Sequence, residues 1–221
     1  MPEQHITLNN QSEETVEETV VAALQAKPTH VHVARHISNI LSPAVISLPL
    51  VLLVALYRSS NQASNLYYAL ITIFFASIGP LLYIVIGVRL GKFTDVDVSV
   101  RSQRTGPFLF GLGSCFLGLL VIAQTHGPKN LQTLMIMTII SGIILMITTM
   151  WWKISIHAST LAGAVTLLTA LYGLIMLPAY LLVILVSWSR VVLHRHTIAQ
   201  VIAGSLVSIA MTLILLKIRG I

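Results

Sequence analysis

Charged residues are scarce in this chain. Of its 221 residues only 9% are charged, whereas 56% are hydrophobic. Soluble domains carry about 25% charged residues, so this composition excludes an ordinary soluble globular protein. We expect a chain that is surrounded by a membrane, with no nucleic-acid partner, and a homo-oligomer is left open.

Carboxylate side chains are confined to two short stretches, and none follows Asp97. Five glutamates lie within the first 18 residues, and Asp95 and Asp97 are the only aspartates. Calcium and magnesium sites need carboxylate oxygens, so we predict no metal and no other cofactor. Cations without acidic partners suit an anionic ligand such as phosphate. Eight cations follow Asp97: Arg101, Arg104, Lys129, Lys153, Arg190, Arg195, Lys217 and Arg219.

Cysteine occurs once, as Cys115 within an apolar run. A single cysteine excludes an internal disulfide and a cysteine-based metal site. We interpret Cys115 as a small core residue, which is the usual setting of a free cysteine.

The N-terminal segment 1–37 is polar and has no apolar signal-peptide core, so we interpret it as a tail rather than a cleaved targeting segment. Ser12 can cap a short surface helix there and Pro28 can end it. We assign 38–221 to a transmembrane domain.

Long apolar runs account for most of that domain. A bilayer-spanning helix needs roughly 20 apolar residues. The apolar run 158–189 contains Gly173 and Pro178 near its middle, where a turn can form, so we predict two short helices there. The fold class is thus all-α, a polytopic bundle of six to seven transmembrane helices. The predicted spans are 38–57, 66–88, 107–124, 131–152, 158–174, 176–188 and 197–216.

Three polar segments between these runs carry the candidate chemistry: 92–108, 153–157 and 189–200. Two crossings separate the first segment from the second. Two more separate the second from the third if 158–189 is a hairpin. A single site that contains all three segments therefore requires the hairpin.

The third segment has the most specific pattern. Ser189 and Arg190 are followed by five residues, His196, three residues and Gln200. This resembles the Ser-Arg-x5-His-x3-Asp signature of the type-2 phosphatidic acid phosphatase superfamily, which includes lipid phosphatases and haloperoxidases. The Ser155-Ile156-His157 segment resembles that family's Pro-Ser-Gly-His signature. The 92–108 segment is a looser match to Lys-x6-Arg-Pro.

The resemblance implies a metal-independent phosphatase that forms a phosphohistidine intermediate. His196 would be the nucleophile, His157 would protonate the leaving oxygen, and Gln200 would orient His196. Arginine forks and lysine ammonium groups suit phosphoryl oxygens. The expected phosphate-binding residues are Arg190, Arg104, Arg101, Lys153 and Ser155.

Two departures from the family signatures change the expected chemistry. Gln200 stands where the family has Asp, so it can fix the histidine tautomer but supplies no negative charge, and we expect slower chemistry. Asp97 stands where the family has Lys, seven residues before Arg104. We expect Arg101 or Lys92 to substitute for that lysine, and Asp97 to pair with Arg101 or Arg104.

The leading interpretation is an integral, multi-pass enzyme of a prokaryotic plasma membrane that hydrolyses a lipid phosphate or a polyprenyl phosphate or diphosphate. A catalytically inactive relative, which binds lipid phosphate or scaffolds membrane proteins, is the alternative. A transporter is a third class, although charged residues are nearly absent in mid-helix, where transport sites usually lie. The sequence leaves open which membrane face carries the site.

Overall fold

The computed structural model describes residues 29–59 and 61–220, apart from the side chain of Arg101. The helix predicted between Ser12 and Pro28 lies outside the described residues. Within the described ranges the chain is helical and forms no strand. The helices are α1 (Thr29–Ile40), α2 (Pro43–Leu56), α3 (Gln62–Ile73), α4 (Gly79–Arg89), α5 (Thr105–Gln124), α6 (Lys129–Trp151), α7 (Ile156–Tyr172), α8 (Tyr180–Val192) and α9 (Ile198–Arg219).

Five helical stretches of the described chain are long and apolar enough to cross a membrane. They are Gln62–Arg89, Thr105–Gln124, Lys129–Trp151, Leu174–Val192 and Ile198–Arg219. The pair α1 and α2 makes a sixth if its 41° bend is counted within one span. The apolar α7 is shorter, with 17 residues and a length of about 25 Å. The prediction of an all-α polytopic bundle is confirmed, and the protein is an integral multi-pass membrane protein.

The first predicted span, 38–57, is divided in the structure. Its first residues belong to α1, which ends at Ile40, and α2 begins at Pro43. Proline suits the first turn of a helix, because the N–H groups of that turn have no partner within the helix and the missing proline N–H costs no hydrogen bond. The bend matters for the site, because α1 packs against α8 and brings Ser38 into the interior.

The hairpin within 158–189 is confirmed. Gly173 has a φ of 81°, a backbone conformation that favours glycine, and it separates α7 from a 3-10 turn at Leu174–Ala179. The start of α7 and the end of α8 lie at the same end of the bundle, so the two helices run antiparallel. Thr166 Oγ1 and Tyr180 Oη are 2.8 Å apart and join the helices near the turn.

The span Gln62–Arg89 contains a π-helical turn at Phe74–Ile78, between α3 and α4. Pro80 follows this turn. Because proline has no N–H, Pro80 cannot donate a hydrogen bond to a carbonyl of the preceding turn. Ser114 Oγ of α5 donates to the carbonyl of Phe75 at 2.6 Å. The widened turn lines an internal cavity described below, as π-turns often do at functional sites.

Helix α7 is the centre of the bundle and packs against α2, α8 and α9. Its approach to α9 needs a glycine, because a Cβ at Gly204 would lie only 2.6 Å from Ser159 Oγ. The backbone N–H of Ser155 also donates to the Gln200 carbonyl at 3.4 Å. The N-terminal ends of α7 and α9 are therefore held side by side, which places the 153–157 and 189–200 segments together.

Candidate functional site

The three polar segments meet at one end of the bundle. The His196 Nδ1 atom lies 3.3 Å from the Lys153 carbonyl oxygen, which joins the third segment to the second. The Arg190 Nη1 atom donates to Asp97 Oδ2 at 2.8 Å, which joins the third segment to the first. The convergence that the crossing count required is present in the structure.

His196 lies in the turn between α8 and α9, where the start of α9 fixes its ring. Thr197 caps α9, and the Gln200 side chain completes a capping box by accepting from the Thr197 N–H at 3.1 Å. Gln200 Oε1 also lies 3.3 Å from His196 Nδ1. The Lys153 carbonyl can only accept, so Nδ1 carries the ring proton and Nε2 keeps its lone pair. The predicted orienting role of Gln200 fits this geometry.

His196 is neutral at physiological pH. Its burial, followed by the positive charge of Arg190, lowers the pKa of the imidazole to about 4. Both effects disfavour the imidazolium. The Nε2 lone pair is consequently available for attack on an electrophile at pH 7.

Two buried arginines flank the histidines, and each is held by the rest of the site. Arg190 Nη1 donates to Ser38 Oγ at 2.7 Å as well as to Asp97. Arg104 Nε donates to the Val98 carbonyl at 2.9 Å. Burial, and then the charge of Arg190, lowers the pKa of Arg104 below its usual range. Two guanidinium groups are thus held together in a protein interior, where like charges repel strongly.

Three nitrogen atoms of this site are buried without a hydrogen-bond partner: Arg104 Nη1, His157 Nε2 and Arg190 Nε. Buried polar atoms are normally paired, so each such atom calls for an explanation. All three side chains line one cavity of about 370 Å³, together with His196 and Asp97. The arginine nitrogens are donors, and His157 Nε2 becomes one when the ring is protonated. An anion with several oxygens would satisfy them together.

The floor of this cavity is apolar and continues deeper into the bundle. A second cavity of about 310 Å³ shares several of its wall residues, including Pro107, Phe108 and Thr160. It reaches Leu167, eleven residues along α7 from Ile156, which corresponds to a depth of about 16 Å. A polar head with an apolar extension matches the shape of an amphiphile.

No protein-family model, no curated protein and no solved structure matches this chain. The chemistry of the site therefore has to be inferred from its own residues. Within the described residues, no three His, Cys, Asp or Glu side chains lie where they could hold a metal ion together. The donors around the cavity suit an anion.

Two further predicted site residues, Ser155 and Lys153, are not among the residues that line the cavity. Ser155 is fully buried and caps α7 by accepting from the Ala158 N–H at 3.4 Å. Lys153 contacts His196 through its carbonyl oxygen. Its burial and the neighbouring arginines lower the pKa of its ammonium group, so it lies in the same positive field. The side chain of Arg101 lies outside the described residues.

Of the two partners expected for Asp97, Arg104 is wrong, and the side chain of Arg101 lies outside the described residues. Asp97 pairs with Arg190, because Arg104 turns towards the Val98 carbonyl of its own loop and Arg190 reaches the loop from α8. Burial opposes ionisation of Asp97, but the charge and hydrogen bond of Arg190 outweigh it. The pKa of this carboxyl therefore lies below its ordinary value. Asp97 is ionised at neutral pH.

Ser38 is a site residue that the sequence reasoning missed. It is only 3% exposed and accepts from Arg190, which lies 152 positions later in the chain. The sequence places it at the edge of an apolar run, where a serine is unremarkable. Only the packing of α1 against α8 reveals its contact.

Proposed function

We propose that this protein is a membrane-embedded, metal-independent phosphatase that hydrolyses a lipid phosphate or a polyprenyl phosphate or diphosphate. The observation that carries the proposal is that three side chains with unpartnered buried nitrogens line one cavity, together with His196 and above an apolar extension. The sequence resemblance to the type-2 phosphatidic acid phosphatase superfamily supports the same chemistry. It also suggests the plasma membrane of a prokaryote as the location.

The proposed reaction has two steps. His196 Nε2 attacks phosphorus, a P–N bond forms, and the P–O bond to the leaving group breaks. The leaving group is the lipid alcohol of a monophosphate or the polyprenyl phosphate of a diphosphate. Burial, and then the charge of Arg190, lowers the pKa of His157 to about 3, so its ring is neutral in the empty site and takes up a proton only together with the anionic substrate. His157 then gives that proton to the leaving oxygen, and the arginines hold the phosphoryl oxygens as charge builds on them. Neutral His157 then takes a proton from water, the hydroxide attacks phosphorus, and the P–N bond breaks to release inorganic phosphate and His196.

The structure also favours a second candidate, a protein that binds lipid phosphate without turning it over. Gln200 holds His196 Nδ1 at 3.3 Å but supplies no negative charge to stabilise a positively charged ring. Binding needs the arginines alone, whereas turnover needs His196 to carry positive charge in the phosphohistidine.

Phosphate release separates the two candidates. We expect protein purified in detergent, or placed in lipid nanodiscs, to release inorganic phosphate from long-chain alkyl phosphates, phosphatidate or polyprenyl diphosphate with EDTA present. Metal is not expected to be needed, because the arginines supply the positive charge. Absence of release from every substrate, in protein that still binds a lipid phosphate, would favour the binding protein. Activity that EDTA removes would contradict the proposed mechanism.

The apolar extension predicts a chain-length effect that one glycine can test. Gly111 of α5 lines the deeper cavity, and a Cβ there would lie 3.9 Å from Pro80 Cβ, so a larger side chain can be accommodated. We expect Gly111→Leu to raise the KM of hexadecyl phosphate about tenfold, since displacing about two CH₂ groups from the cavity loses about 1.6 kcal/mol, at about 0.8 kcal/mol each. The KM of butyl phosphate should change little.

The matched control for this prediction is Gly113→Leu on the same helix. No atom lies within 4 Å of a Cβ at Gly113, and the residue is exposed on the surface of the bundle. Gly113→Leu should leave both KM values unchanged. Equal effects of the two substitutions on KM would show that the alkyl chain of the substrate does not bind in the deeper cavity. An equal rise in KM for hexadecyl and butyl phosphate would show the same.

A further inference from the structure

Two consecutive residues of the α4–α5 loop already engage both arginines of the site. Asp97 offers a carboxylate oxygen to Arg190 Nη1 at 2.8 Å, and Val98 offers its carbonyl oxygen to Arg104 Nε at 2.9 Å. A bound phosphoryl group would offer its oxygens to the same guanidinium groups. Asp97 and Val98 also line the polar cavity, so they border the space that such a ligand would occupy.

The loop is held in this position against backbone strain. Val98 has a φ of 45°. A β-branched residue is rarely found in that region, and such strain persists only where other contacts enforce it. Asp95 and Arg195 supply some of those contacts, because both bind Ser99 of the same loop. Contacts other than the Asp97–Arg190 pair therefore also hold this loop in place.

Arg190 does not depend on Asp97 alone for its position. Ser38 Oγ accepts from the same Nη1 atom at 2.7 Å. The Arg190 side chain is only 4% exposed, whereas that of Asp97 is 35% exposed. Asp97 is thus the partner that can leave, and Arg190 is the one that is fixed.

We propose that Asp97 competes with the phosphoryl group for Arg190 and thereby limits how tightly the site holds inorganic phosphate. This inference rests on the proposed function. A pair of buried arginines in a low-dielectric cavity would otherwise retain the phosphate product. Asp97 leaves Arg190 when substrate binds and returns to it when the product dissociates. The residue acts through Arg190, so it sets phosphate affinity without touching the reacting atoms.

The test is equilibrium dialysis of radiolabelled inorganic phosphate against purified full-length protein, which needs no turnover. We expect Asp97→Asn to bind phosphate at least about tenfold more tightly than wild type, the scale of one charge-assisted hydrogen bond. Asp97→Glu keeps the competing charge and should return the affinity towards the wild-type value. In turnover assays, Asp97→Asn should show a lower KM and stronger product inhibition.

The matched control is Asp95→Asn, which removes the same charge from the same loop. Asp95 accepts from the Ser99 N–H through Oδ2 and from the Ser99 hydroxyl through Oδ1, and it does not bind Arg190. An asparagine oxygen keeps one of these two bonds, so the loop stays anchored to residue 95. Its phosphate affinity should stay within about twofold of wild type, as expected for a partly exposed charge screened by solvent.

Weaker or unchanged phosphate binding in Asp97→Asn would overturn this inference, because Asp97 would then position Arg190 or contribute nothing. An equal gain in Asp95→Asn would overturn it too, since any loop charge would then suffice. If Asp97→Asn does not yield monodisperse protein, Asp97→Ser is held to the same criterion. Should wild type and all variants fail to bind phosphate, the proposed function fails with the inference. Phosphate release without tighter binding in Asp97→Asn removes the inference alone.

Discussion

His196→Ala is expected to abolish phosphate release, with kcat lower by at least about a thousandfold. Its Nε2 atom would form the P–N bond, and removal of a nucleophile typically leaves only the contribution of binding and charge stabilisation. Phosphate binding should persist, because Arg104 and Arg190 do not depend on the His196 ring for their contacts. The measurement is phosphate release from hexadecyl phosphate in EDTA, together with the dialysis assay.

The control for His196 is His194→Asn in the same turn. His194 is exposed and has a φ of 51°, a conformation that asparagine tolerates better than alanine. Its activity should match wild type. Residual turnover of His196→Ala above about a tenth of wild type would exclude His196 as the nucleophile, since no covalent intermediate could then form on it.

The pH profile provides a further check on His196. Its pKa is lowered to about 4, so the neutral form predominates above that pH and the protonated form below it. The value of kcat/KM should therefore fall as the pH drops through about 4, after correction for the ionisation of the substrate. A limb near the ordinary histidine pKa of about 6.5 would show that burial and Arg190 do not perturb the nucleophile.

Local sequence patterns predicted the elements of this fold better than their contacts. Gly173 and Pro178 indicated the hairpin, because φ restrictions act on single residues and can be read locally. The bend between Ile40 and Pro43 was missed, although Ser42 and Pro43 are a local signal for the start of a helix.

In the candidate site, too, local sequence patterns predicted residues better than they predicted contacts. Spacing in the sequence identified His157, Arg190 and His196, which line one cavity in the structure. The partners of Arg190 were not predictable, because Asp97 and Ser38 lie 93 and 152 positions away in sequence. Such pairings depend on how α1, α8 and the α4–α5 loop meet. Ser155, which the sequence resemblance gave as a phosphate ligand, caps α7 through a local bond to the Ala158 N–H and does not line the cavity.

Arg190→Lys is expected to raise the KM for hexadecyl phosphate about 10- to 100-fold, the value of one or two lost charge-assisted hydrogen bonds. The value of kcat should fall as well, because the fork of donors binds most strongly when charge accumulates on the phosphoryl oxygens. Lysine keeps the positive charge and can still pair with Asp97. It cannot replace the buried Nε donor, which has no hydrogen-bond partner among the described residues.

Arg195→Lys is the control that separates this effect from a general loss of positive charge. Arg195 follows α8 in the same segment, is exposed, and donates to Ser99 rather than lining the cavity. Its KM and kcat should stay within about twofold of wild type, as expected for an exposed contact. Wild-type kinetics in Arg190→Lys would show that charge alone holds the phosphoryl group and that the fork geometry is dispensable. A lower thermal unfolding temperature with unchanged kinetics would instead assign Arg190 to the packing of α1 against α8, with Ser38 as its structural partner.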